Sequence, residues 1–224
     1  MSGNDKVPAA MRPLSASAHT VDDFDARAAT WDDDPAKVAR ARAIADAILR
    51  EAPLADSMDA LEYGAGTGLL GFMLRHRVAD LTLADVSAGM LEVAAKKIAA
   101  ARDPHMRSVD LDLLAGPLPD RRFDLIFSAM TLHHIVDTDG ILRRFREILR
   151  HPGFLCIADL DTEDGSFHGE GFDGHLGFDR DRLAAMARAA GFASVRFTTA
   201  YEMTKEAAGV PRTFPIFLMI AGTV

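Results

Sequence analysis

The segment Glu62-Tyr63-Gly64-Ala65-Gly66-Thr67-Gly68 places glycine at 64, 66 and 68, directly after a short apolar run at residues 58–63. Glycine lets a backbone turn through left-handed conformations and approach a ligand with no Cβ in the way. A plain strand-to-helix turn needs only one. Three alternating glycines, followed by helical apolar spacing over residues 69–77, predict a strand, a tight loop and a helix whose free N–H groups face a ligand. The third glycine comes one residue too early for the G-x-G-x-x-G dinucleotide fingerprint, since position 69 is Leu. Glu62 adds a carboxylate beside the loop, which would repel a pyrophosphate and attract a cationic ligand.

The rest of the chain repeats the alternation. Helical spacing marks residues 35–51, with Pro35 suited to a first turn, and strands are expected at 79–84, 106–111, 123–128 and 154–158. Ser87 caps a helix to about residue 101. Ile141, Leu142, Phe145, Ile148 and Leu149 share a helix face that Pro152-Gly153 should break, and Asp179 opens a helix that closes at Gly191. Two late strands are expected at 195–199 and 214–220. Strands alternating with helices argue for a mostly parallel α/β sheet covered on both faces, with ligands beyond the carboxyl ends of its strands.

Composition narrows the partners. The chain has 224 residues with 33 acidic against 25 basic ones, a net charge of −8. That balance disfavours nucleic-acid or anionic-membrane partners, which need a basic face. The only cysteine is Cys156, so no intrachain disulfide or cysteine-based metal site can form. No run reaches the roughly 20 apolar residues of a membrane helix. A cytoplasmic protein, monomer or homodimer, is expected. Residues 1–20, rich in Ala, Ser and Pro, read as a flexible arm before one domain spanning 21–224.

Asp85 follows the second strand, 21 residues beyond Gly64 (85 − 64), near the offset at which an acidic residue accepts both hydroxyls of a ribose. Taken in order with three later segments, these residues resemble the class I S-adenosylmethionine-dependent methyltransferases, closest to the branch that includes ubiquinone and menaquinone biosynthesis methyltransferases. The later segments are Asp112 followed by Phe123-Asp124, then Phe127 to His134, and then Leu149-Arg150-His151-Pro152-Gly153-Phe154. In the last, Phe154 replaces the second glycine of the family pattern. The resemblance implies a Rossmann-like seven-stranded sheet of order 3-2-1-4-5-7-6, strand seven antiparallel, and S-adenosyl-L-methionine as cofactor. It implies cofactor contacts from Glu62, Gly64, Ala65, Gly66, Gly68, Asp85, Val86 and Met90. Asp112 and Leu113 are implied to meet the adenine, and Ser128 and Ala129 to contact the cofactor as well. Residues 21–51 would form a helical lid, in which Trp31 covers cofactor or substrate.

Methyl transfer depends mainly on alignment, and a general base is needed only when the acceptor must lose a proton. His133 and His134, after the fourth strand, are the candidate bases, and His133 also a substrate contact. Asp159, Asp161 and His168, from an acidic stretch after the fifth strand, are candidate contacts to a small-molecule acceptor. No metal is expected from two adjacent histidines. The alternatives are an NAD-dependent oxidoreductase and a catalytically silent cofactor-binding protein.

Overall fold

Asp34 begins the first long helix because its side chain accepts the Ala36 N–H while Pro35 occupies the first turn. That helix, α2 (Pro35–Glu51), spans the residues expected from sequence. It belongs to a computed structural model that describes residues 21–224 apart from 169, 170 and 208. The expected arm at residues 1–20 lies outside the described residues.

Seven strands form one sheet in the order β3-β2-β1-β4-β5-β7-β6. They are β1 (Asp59–Tyr63), β2 (Asp80–Asp85), β3 (Met106–Asp110), β4 (Phe123–Ala129), β5 (Leu149–Leu160), β6 (Ser194–Ala207) and β7 (Val210–Gly222). The first five are parallel, and β7 runs antiparallel to both β5 and β6. The strand order reverses between β1 and β4, which is where open α/β sheets part their crossover connections and leave a crevice.

The remaining helices are α1 (Val21–Arg27), α3 (Leu69–Leu74), α4 (Ala88–Ala101), α5 (Thr138–Ile148) and α6 (Arg180–Ala189). They cover both faces of the sheet. One core layer packs Ile44, Ile48, Leu70, Leu74 and Ala94 from α2, α3 and α4 against Leu81, Leu83 and Phe127. The other packs Ile141, Leu142, Phe145 and Leu183 from α5 and α6 against Leu61, Ile126 and Phe217. Successive β1 residues alternate between these layers, as a pleated strand requires. Tyr63 therefore meets Phe145, while Glu62 is sent into the apolar layer beneath α3.

Three expectations are corrected at the sheet's later end. The helix stops at Ile148, before Pro152-Gly153, and β5 starts at Leu149. Its pairing with β4 jumps from Phe123↔Leu149 to Leu125↔Phe154, so Arg150 to Gly153 form a bulge within the strand rather than a helix-ending turn. The last two strands are longer than expected, because β6 and β7 stay paired out to Ala207↔Val210. Pro215 would argue against so long a strand, but β5 pairing ends at Leu160↔Ile216, so its missing N–H faces no ladder there. Among the described residues, no helix is long and apolar enough to cross a membrane.

Candidate functional site

The carboxyl ends of β1, β2 and β4 open into a cavity of about 470 Å³, covered by α1 and the start of α2. Such a volume lies within the roughly 300–1,000 Å³ of small-molecule sites. Its floor is the glycine loop. Gly64, Gly66 and Gly68 adopt φ of +69°, +54° and +80°. A Cβ on Gly64 would stand 2.3 Å from the Thr131 side chain, so this turn can close against the β4 loop only as glycine. Gly68 has a different task from the one the resemblance implies. It starts α3, and a Cβ there would stand 2.7 Å from Leu83 Cδ1, so it lies against the core rather than lining the cavity.

Two carboxylates border this floor. Asp85 accepts the Gly66 N–H at 2.7 Å and the Val86 and Ser87 N–H groups at 2.8 and 2.9 Å. Burial pushes its pKa above the ordinary value, and those three N–H bonds only partly offset that. Glu62 is 3% exposed, and its Oε2 has no hydrogen-bond partner. Burial raises its pKa well above the carboxylate range. The Gly71 N–H opposes this, and the neighbouring Asp85 charge adds to it. Gly71 is required here because a Cβ would stand 2.4 Å from Glu62 Oε2.

Ala65, Val86, Met90, Asp112 and Ala129 also line the cavity. Leu113 and Ser128 do not. Leu113 is wholly buried with its N–H donated to the Tyr63 hydroxyl, and the neighbouring Leu114 lines the cavity instead. Ser128 is buried in β4, one pleat away from the opening.

The opposite wall is made of histidines. His133 and His134 lie in a short 3-10 turn, Leu132–His134, and their ring centroids are 4.1 Å apart. The His168 ring lies 4.9 Å from that of His133 and stacks on Phe172 at 3.7 Å. His133 is 2% exposed and Asp159, on β5, is fully buried. Asp159 takes the Nδ1 of His133 at 2.7 Å and its backbone N–H at 3.2 Å. The His133 carbonyl accepts the His175 N–H at 2.8 Å, which fixes the turn from its other side. Burial opposes ionisation of Asp159, but the His133 charge and hydrogen bonds, with the Leu160 N–H, hold its carboxyl below its ordinary pKa. Asp159 thus stands behind His133 rather than facing an acceptor. Just before the turn, Met130 is held at φ +55°, a strained conformation for a side-chain-bearing residue at the cavity edge.

The acidic stretch does not act together. Asp161 is taken by Arg180 through two contacts of 2.7 Å and stays outside the cavity. Asp164 is drawn down to about 2 by Ser166 and Arg212. Glu163 accepts the Phe167 N–H at 3.1 Å, which helps set the loop that presents Phe167 and His168.

Sequence reasoning missed several lining residues. Arg40 from α2 and Lys205 from the extended β6 both line the cavity. Removal from water pushes the Arg40 pKa down, and its guanidinium donates to the Met203 sulfur at 3.8 Å. Trp31 does line the cavity, under the Lys37 ammonium at 4.4 Å from the ring centroid. The covering segment is fastened by aspartates as well. Asp25 accepts from Ser87 Oγ at 2.5 Å and Gly89 N–H at 2.8 Å, and Asp32 accepts from Thr67 Oγ1 at 2.5 Å and Lys97 Nζ at 2.7 Å. Phe24 sets its ring edge against His134 at 5.5 Å.

Comparison with known proteins agrees with this geometry. Residues 60–153 match a family model described as a methyltransferase domain. An uncharacterized methyltransferase of Mycobacterium tuberculosis is 32% identical over 102 residues, 46% of this chain and 50% of that protein. A ubiquinone/menaquinone biosynthesis C-methyltransferase of Shewanella frigidimarina is 32% identical over 112 residues, 47% of this chain and 43% of that one. The chain thus spans about half the length of the curated relatives it matches. Among solved structures, a phosphoethanolamine N-methyltransferase of Haemonchus contortus in complex with S-adenosyl-L-methionine superposes with a TM-score of 0.65. It is 18% identical and covers 80% of this chain and 51% of its own. That likeness is one of fold, and the sheet order is the one the resemblance implied.

Proposed function

We propose that this chain, whose residues 60–153 carry the methyltransferase-domain match, is a class I S-adenosylmethionine-dependent methyltransferase acting on a small-molecule acceptor. The observation that carries the reading is one cavity joining an acidic glycine-loop floor to a histidine wall.

The floor fits the cofactor. It offers a glycine backbone at positive φ that a ligand can approach with no Cβ in the way, Glu62 with a partnerless buried oxygen for a cationic group, and Asp85 for ribose hydroxyls. Two buried carboxylates suit a pyrophosphate poorly, which disfavours the dinucleotide alternative. S-Adenosylmethionine, when bound, supplies a methyl group already activated by positive sulfur. The protein's share is then to align an acceptor, exclude water and manage one proton. Phe24 and Trp31 close over the cavity and Asp112 borders the adenine side. His133 would take a proton from the acceptor, a reading supported by its contact with Asp159. Arg40 and Lys205 favour an acceptor that carries an anionic or electron-rich group. Residues 21–224 would act as one domain, with 21–51 as its lid.

Isothermal titration calorimetry with S-adenosylmethionine and with NAD tests the reading. Saturable binding of the first alone is expected. Binding of NAD alone would overturn it. Methyl transfer from labelled cofactor into a metabolite extract separates an enzyme, which labels a product, from a silent cofactor-binding protein, which does not.

A further inference from the structure

The histidine wall goes further than a proton acceptor. His133, His134 and His168 each offer a ring nitrogen, and these atoms all lie within 4.8 Å of one another. His168 is distant in sequence, 34 residues beyond His134 (168 − 134), so only the fold completes the set. We propose that the three imidazoles form a binding site for a divalent transition metal of the zinc class, with an open position facing the cavity.

Three features support this. Imidazole is the ligand type that suits zinc, iron, nickel and copper, and three protein ligands with one position left open is the usual arrangement of a catalytic zinc site. With Zn–N bonds of about 2.0–2.1 Å, tetrahedral ligand nitrogens lie roughly 3.3 Å apart. The rings therefore need to close by at most about 1.5 Å. Second, His133 already has the partner such a ligand needs. Asp159 binds its Nδ1 at 2.7 Å, leaving Nε2 for the metal, and the carboxylate–histidine pairing fixes ring orientation and raises ligand basicity. Third, all three histidines line the cavity, so the fourth position opens where the acceptor would sit. Arg40 and Lys205 on the same cavity favour an anion there, which would balance the charge of the ion.

The metal site stands on the histidine geometry alone, while its chemical role rests on the methyl-transfer reading. In that role the ion would bind the acceptor's heteroatom and favour its ionised form, the released proton passing to solvent water at the open side of the cavity, and His133 would serve as ligand in place of base.

The test is metal binding by the chelator-stripped full chain, read by calorimetry with Zn²⁺ and by visible absorption with Co²⁺. One equivalent per chain is expected, and binding should weaken at least about 10-fold in both His134→Ala and His168→Ala. These two side chains are only partly buried, so the variants should fold, and circular dichroism checks that they do. Absence of stoichiometric binding, or full binding retained in either variant, overturns the site. The same samples are titrated with S-adenosylmethionine. Cofactor binding without metal binding refutes the metal site only, and metal binding without cofactor binding refutes the methyl-transfer reading only.

Discussion

Two ends of one cavity hold buried carboxylates whose pKa values move in opposite directions. Glu62 and Asp85, at the glycine loop, are pushed up by burial. Asp159, behind the histidines, is wholly removed from water yet held down by His133 and two backbone N–H groups. Desolvation disfavours both charges, so the difference lies in the partners already present. At the histidine wall the acid already has its hydrogen-bond partners within the protein. The loop end leaves an acid unsatisfied, as a surface finished by a cationic ligand would.

This contrast can be broken at either end. The largest effect is expected at the histidine end. His133→Asn should lower turnover by roughly 10²–10⁴-fold, the usual contribution of a positioned proton-transfer group, in a steady-state assay with any identified acceptor. Turnover near the wild-type value would show that the wall is packing only. A smaller effect is expected at the unsatisfied end. Because the folded-state pKa of Glu62 is raised above its ordinary 4.5, its protonated form stabilises the fold. Stability of the ligand-free protein should therefore fall as pH climbs from the unfolded-state value towards the folded one, and then level. Glu62→Gln should reduce that slope, leaving the part that Asp85 contributes, and melt higher than wild type at neutral pH. Thermal unfolding across pH 4–8 checks it, and a Glu62→Gln protein melting lower than wild type would refute the assignment.

The same two ends differ in how far the sequence discloses them. The loop end is local. Gly64, Gly66 and Asp85 sit just past strands whose apolar runs are plain in the sequence, so strand ends and glycine spacing suffice to place them. The histidine wall is not local. His133 borrows Asp159 from the next strand, His168 arrives on a loop set by Glu163, and Arg40 and Lys205 come from opposite ends of the chain. No spacing rule reports such meetings. Asp161 and Asp164, neighbours of Asp159 in sequence, turn to Arg180 and Arg212 instead. The aspartates of the segment over the cavity resemble solvated surface in the sequence, yet Asp25 and Asp32 are what bind it to Ser87 and Thr67. The long β6–β7 pair was hidden by Pro211 and Pro215, residues that a strand pattern penalises.

The division of labour between the ends is tested most directly by cofactor affinity measured side by side in two variants. Calorimetric titration of S-adenosylmethionine should show Asp85→Ala binding at least about 10-fold more weakly than wild type, the scale of a lost hydrogen bond to a charged group. His133→Asn should bind within about 2-fold of wild type, because that ring serves the acceptor wall and not the loop floor. Unchanged affinity in Asp85→Ala, or a greater loss in His133→Asn, would contradict the account.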